Sequence, residues 1–128
     1  MGSKPNPGVS GKHLVWELPE SLSRLARGGD AWLVAEILED FCQDGRARLS
    51  RLRHAVASQD AATVKLEAHS LKGSAAQMGA EGLATGCRAL ELSASAGLTG
   101  GVEAQLDAIE AVLEETCRAI ARHPLCAK

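Results

Sequence analysis

The stretch 61–79, AATVKLEAHSLKGSAAQMG, decides how the chain is read. Val64, Ala68, Leu71, Ala75 and Met78 recur at steps of four, three, four and three, the spacing that places apolar side chains along one stripe of a helix. Asp60 stands where a helix N-cap is expected, and Gly79 where a helix ends. Two residues in this helix are unusual choices. Gly73 weakens a helix interior by about 1 kcal/mol relative to alanine, and His69 is one of only four histidines in the chain. On the helical wheel His69 lies roughly 140° from the centre of the apolar stripe, Gly73 about 180° and Lys72 about 80°. The histidine is therefore expected to face outward, with a cation and a gap one turn further on.

The flanking sequence repeats the helical theme. ELPESLSRLARGGD (17–30) reads as a short helix with Pro19 in its first turn and Gly28-Gly29 at its end. Asp30 is placed to cap a helix from about Ala31 to Ser58, carried by Val34, Ile37, Phe41, Leu49, Leu52 and Val56, with Gly45 interrupting its middle and leaving room for a bend. A further helix fits Ala80 to Ala96, with Leu83, Cys87, Leu90 and Ala94 inward. The last is read from Val102, Leu106, Ile109, Leu113, Thr116 and Ile120, with Pro124 as its stop. Four long amphipathic helices joined by short connections predict an all-α fold, an antiparallel up-down-up-down four-helix bundle with a short additional N-terminal helix. Residues 1–16, rich in Gly, Pro and Ser, read as a flexible leader whose composition also suits a cloning remnant. The domain is expected over 17–123, and 124–128 form a tail.

Composition narrows the function. The chain has 128 residues, one domain's worth, and its aromatic content of 2% with no tyrosine favours a core of small aliphatic side chains on packed helices. A net charge of −2 made of interspersed signs lacks the basic stripe of a nucleic-acid binder. No apolar run approaches the length of a membrane span, and the polar first twelve residues lack the apolar centre of a secretory signal. Cys42, Cys87, Cys117 and Cys126 form no CxxC pair, so a zinc site is not expected, and reduced thiols in a cytoplasmic setting are the simpler reading. His13, His54 and His123 show no ligand spacing and are expected at the surface. Trp16 and Trp32 are expected to anchor the front helix, and Arg46, Arg48, Arg51 and Arg53 to form a solvated helix face.

An exposed imidazole is ordinarily a free base and a nucleophile near neutral pH. Lys72 can place an ammonium beside an anion carried on that ring, and Gly73 removes a side chain that would crowd it. Ala62 and Ala76 are small on the same flank, and Lys65 adds positive charge one turn before His69. Leu66 points outward and is a candidate for a docking patch. A nucleophile with a cation and clearance beside it suits a phosphoryl group.

The run HSLKGSAAQMG (69–79) resembles the signature of histidine phosphotransfer (HPt) domains, in which a histidine is followed by Lys-Gly at the third and fourth positions and by a glycine ending the helix. The similarity extends over about 18–122, through LEDFCQDGRARLSRLRHAV (38–56) and LATGCRALE (83–91). The resemblance implies that His69 carries the phosphoryl group on its outer ring nitrogen, that Lys72 screens its charge and that Gly73 leaves room for the incoming partner. It places Glu91 where the family often has a Gln or an acidic group near the histidine, able to orient the ring. It further implies a phosphoryl carrier without kinase activity or a cofactor of its own. Mg²⁺ would come from the partner. Partners would be response-regulator receiver domains and a hybrid sensor histidine kinase, with the chain a cytoplasmic monomer or the cytosolic domain of a larger membrane-bound hybrid kinase. The rival reading is a helical docking module that keeps the scaffold but binds without transferring phosphate. Retention of the His-x-x-Lys-Gly group favours transfer.

Overall fold

The computed structural model describes residues 16–127. The expected leader lies outside the described residues except for Trp16, and so does His13. Five α-helices follow: α1 over Glu20–Leu25, α2 over Ala31–Ala57, α3 over Ala61–Gln77, α4 over Glu81–Ser95 and α5 over Val102–Arg122. Among the described residues there is no strand. The four long helices pack as a ring, each against its neighbour in sequence, and α5 closes on α2. The fold is the all-α bundle that the hydrophobic spacing implied.

The core is aliphatic, as the lack of aromatics required. Val34, Leu38 and Leu52 from α2, Val64, Ala68, Leu71 and Ala75 from α3, Leu83, Cys87 and Leu90 from α4, and Leu106, Ile109 and Leu113 from α5 are almost fully excluded from solvent. Small residues set how closely the helices approach. A Cβ at Gly86 would lie 3.2 Å from Ile109 Cγ1, and one at Gly45 would lie 2.9 Å from Leu113 Cδ1. The helix α2 continues unbroken through Gly45. The glycine is there to let α5 come close.

Several local expectations are corrected. Pro19 is the N-cap residue of α1 and not a first-turn residue. Asp30 makes no side-chain cap, because α1 passes into α2 through a π-type turn over Ala26–Asp30 in which Gly29 takes φ 104°. Trp16 is indeed an anchor, its indole Nε1 donating to the Met78 carbonyl at 2.7 Å, but Trp32 is two-thirds exposed and anchors nothing. His54 is exposed, whereas His123 is half-buried, its ring edge-on to Trp16. The arginine run is a largely solvated face, as expected, but its side chains are also paired across helices. Arg46 forks onto Glu114, Arg48 and Arg51 share Glu67, and Arg53 reaches Asp107 and Glu110, so the run ties α2 to α3 and α5.

Candidate functional site

The site begins with the two ends of α3. Asp60 caps the start: its Oδ1 accepts from the Thr63 amide at 3.1 Å and its Oδ2 from the Thr63 hydroxyl at 2.7 Å. At the other end Gly79 adopts φ 75°, where a side chain would be strained and would also meet Pro19. The bond from Trp16 to Met78 sits at the same corner. Between these fixed ends, the buried stripe Val64, Ala68, Leu71 and Ala75 sets the rotation of the helix. Ala62, Leu66, His69, Gly73 and Ala76 repeat by four, three, four and three on the opposite side, and all five are exposed. Burying one stripe necessarily presents the other.

His69 is presented yet held. Its side chain is 66% exposed, while Glu91 on α4 is 17% exposed and places Oε2 2.9 Å from His69 Nδ1. The other carboxylate oxygen, Oε1, accepts from Lys72 Nζ at 2.8 Å. One carboxylate thus bridges both side chains of the motif, each oxygen serving one donor. Lys72 first and His69 second hold the Glu91 carboxyl below the usual carboxylate range, against the partial burial that opposes them. A carboxylate can only accept, so the proton between them belongs to Nδ1. In the neutral ring Nε2 then carries the lone pair, on the edge away from Glu91.

The space beside the ring is open. A Cβ on Gly73 would meet nothing within 4 Å. Lys65 is exposed on the same helix, and Leu66, at 64% exposure, is one of three large apolar side chains left in solvent among the described residues. Leu92 on α4 is another, at 65%. Sequence reading did not single out Leu92, although its position two residues past inward-facing Leu90 turns it roughly 200° away from the core. Among the described residues, no group of three or more His, Cys, Asp or Glu side chains is arranged to hold a metal ion. No helix there is long and apolar enough to cross a membrane.

This all-α bundle with an outward imidazole has a match among known families. The Hpt domain profile matches residues 36–123, and the chain belongs to that family. Among solved structures, the crystal structure of histidine-containing phosphotransfer protein B (HptB) from Pseudomonas aeruginosa PAO1 is similar, with a TM-score of 0.74 and 28% identity, covering 82% of this chain and 91% of that one. No curated protein matches the sequence.

Proposed function

We propose that this chain is a phosphoryl carrier of a multistep phosphorelay, taking the group from a receiver-domain aspartate onto His69 Nε2 and giving it to another receiver aspartate. The observation that carries the reading is the Nδ1–Glu91 bond on a ring whose far edge is open. The Nε2 lone pair attacks phosphorus, the bond from phosphorus to the aspartyl oxygen breaks, and the receiver regains its carboxylate. Nδ1–H remains bonded to Glu91, which steadies the positive charge the ring acquires. Lys72 donates one N–H to Glu91 and has two more for the incoming oxygens.

Phosphoryl transfer passes through a loose transition state, so alignment and charge stabilisation do most of the catalysis. This chain supplies the aligned ring and the cation. Mg²⁺, the acidic pocket and the aspartate belong to the receiver. Lys65 offers charge complementary to such a pocket. Ala62, Leu66, Gly73 and Ala76 offer a low apolar surface on which a receiver can sit around the histidine. On this reading the chain has no kinase activity and exchanges phosphate with response-regulator receivers and a hybrid sensor histidine kinase. It acts as a monomer in the cytoplasm, by itself or as the cytosolic domain of such a kinase.

Incubation with a ³²P-labelled phosphorylated receiver tests the proposal. Acid-labile, base-stable label is expected on the wild-type chain and not on His69→Gln. Label retained by His69→Gln, or no uptake from any receiver of the source organism, would overturn it.

A further inference from the structure

A second cluster of reactive groups lies between α2 and α5, on helices other than the α3–α4 pair that builds the histidine site. Cys42 on α2 and Cys117 on α5 stand close enough there to influence each other's ionisation. Both are buried, at 7% and 4% exposure, yet both line a cavity of about 240 Å³ together with Glu39, Arg46 and Cys126. All three cysteines are reduced.

Two neighbouring contacts hold the helices close at this level. Gly45, one turn beyond Cys42, lies against Leu113, one turn before Cys117, where a Cβ would be only 2.9 Å from the leucine methyl. Arg46 then grips Glu114 through two bonds of 2.9 Å. A disulfide needs backbones close together and thiols already facing each other. This interface brings both thiols to one cavity and supplies a glycine-assisted approach of the two helices.

The two thiols are not equivalent. Cys42 is the main influence pushing the Cys117 thiol below its ordinary value; Arg46 assists, while burial and Glu114 oppose. Cys117 and then burial push Cys42 up. Cys87 provides a contrast: it is fully excluded from solvent, and burial pushes it up to about 12.

We propose that Cys42 and Cys117 are a redox-active dithiol that hydrogen peroxide converts to a disulfide joining α2 to α5. The Cys117 thiolate attacks one peroxide oxygen, the O–O bond breaks, and hydroxide leaves and is protonated to water. The resulting sulfenic acid is attacked by Cys42 sulfur, the S–S bond forms, and the Cys117 hydroxyl departs as a second water. Two thiols lose two electrons to one peroxide, and the two thiol protons end in the two waters. The site is a modification site separate from His69.

Trypsin separates all four cysteines, into fragments 28–46, 73–88, 89–118 and 123–128. Full-length protein treated with one equivalent of peroxide, then alkylated in denaturant and digested without reductant, should give the 28–46/89–118 pair by mass spectrometry, with Cys87 alkylated. In a Cys42→Ser/Cys126→Ser variant the sulfenic acid has no thiol left in the cavity to resolve it, and a 1,3-dione probe should label Cys117. In Cys117→Ser/Cys126→Ser, labelling at Cys42 should be at least tenfold lower. Circular dichroism of the two variants identifies any loss of fold. The wild-type digest decides the matter independently of them. A dominant disulfide through Cys126, or complete alkylation of Cys42 and Cys117 after peroxide, would overturn the proposal.

Discussion

Gly73 allows stability and function to be set against each other at one position. It sits in the interior of α3, exposed, with nothing within 4 Å of where a Cβ would lie. Gly73→Ala therefore adds no clash and removes backbone freedom from the unfolded chain, a gain of about 1 kcal/mol. For a domain of this size that corresponds to a rise of about 4 °C in thermal midpoint. Gly73→Leu should be similarly benign, because leucine is nearly as good a helix former as alanine. Phosphoryl transfer should respond in the opposite direction. A leucine one turn from His69 fills the gap through which a receiver would approach, and misplacement of the reacting groups by about 1 Å costs on the order of a hundredfold in rate. Urea denaturation and transfer kinetics, measured on the same preparations, separate the two effects. Destabilisation of Gly73→Ala would show that the position is packed rather than open. A Gly73→Leu variant that transfers at the wild-type rate would show that the gap is not used by a partner.

Gly45 gives the converse result: Gly45→Ala forces the buried Leu113 to shift, and overpacking of about 1–3 kcal/mol should offset or exceed the helix-propensity gain, lowering the urea midpoint relative to Gly73→Ala. Trp16→Phe removes the indole bond to the Met78 carbonyl and should cost about 1 kcal/mol in urea denaturation. Glu91, Glu67 and Glu114 all have carboxyls held below their ordinary range, by Lys72 and His69, by Arg51 and Arg48, and by Arg46 respectively. Groups lowered in the folded state contribute stability above their unfolded value, near pH 4.3, and that stability is lost as pH falls through the lowered folded values. The urea midpoint should therefore drop below about pH 4, and Glu91→Gln should flatten part of that acid limb.

The fold was legible because the buried stripes are regular. Val64, Ala68, Leu71 and Ala75 declare both the helix and its rotation, and rotation alone turns His69 and Gly73 outward. What a single helix cannot declare is what stands across the groove. Gly45 and Gly73 look alike in sequence, both mid-helix, yet one faces Leu113 and the other faces open space. The arginine run shows the same blindness. Its spacing gives a helix face, but the acids it meets are on α3 and α5, far away in sequence. The bridge from Glu91 to His69 and Lys72 is likewise a matter of how α4 lies on α3, so its position came from family resemblance and its geometry only from the folded chain. Asp30 looked like a cap because capping chemistry is local, but here the preceding turn of helix had already occupied that end.

The most direct measurement is heteronuclear NMR of ¹⁵N-histidine-labelled protein after phosphorylation by a receiver. Coupling of phosphorus to His69 Nε2, with Nδ1 still protonated, is the outcome expected from a ring pinned by Glu91 on its inner side. Phosphorus on Nδ1, or on any residue other than His69, would contradict it.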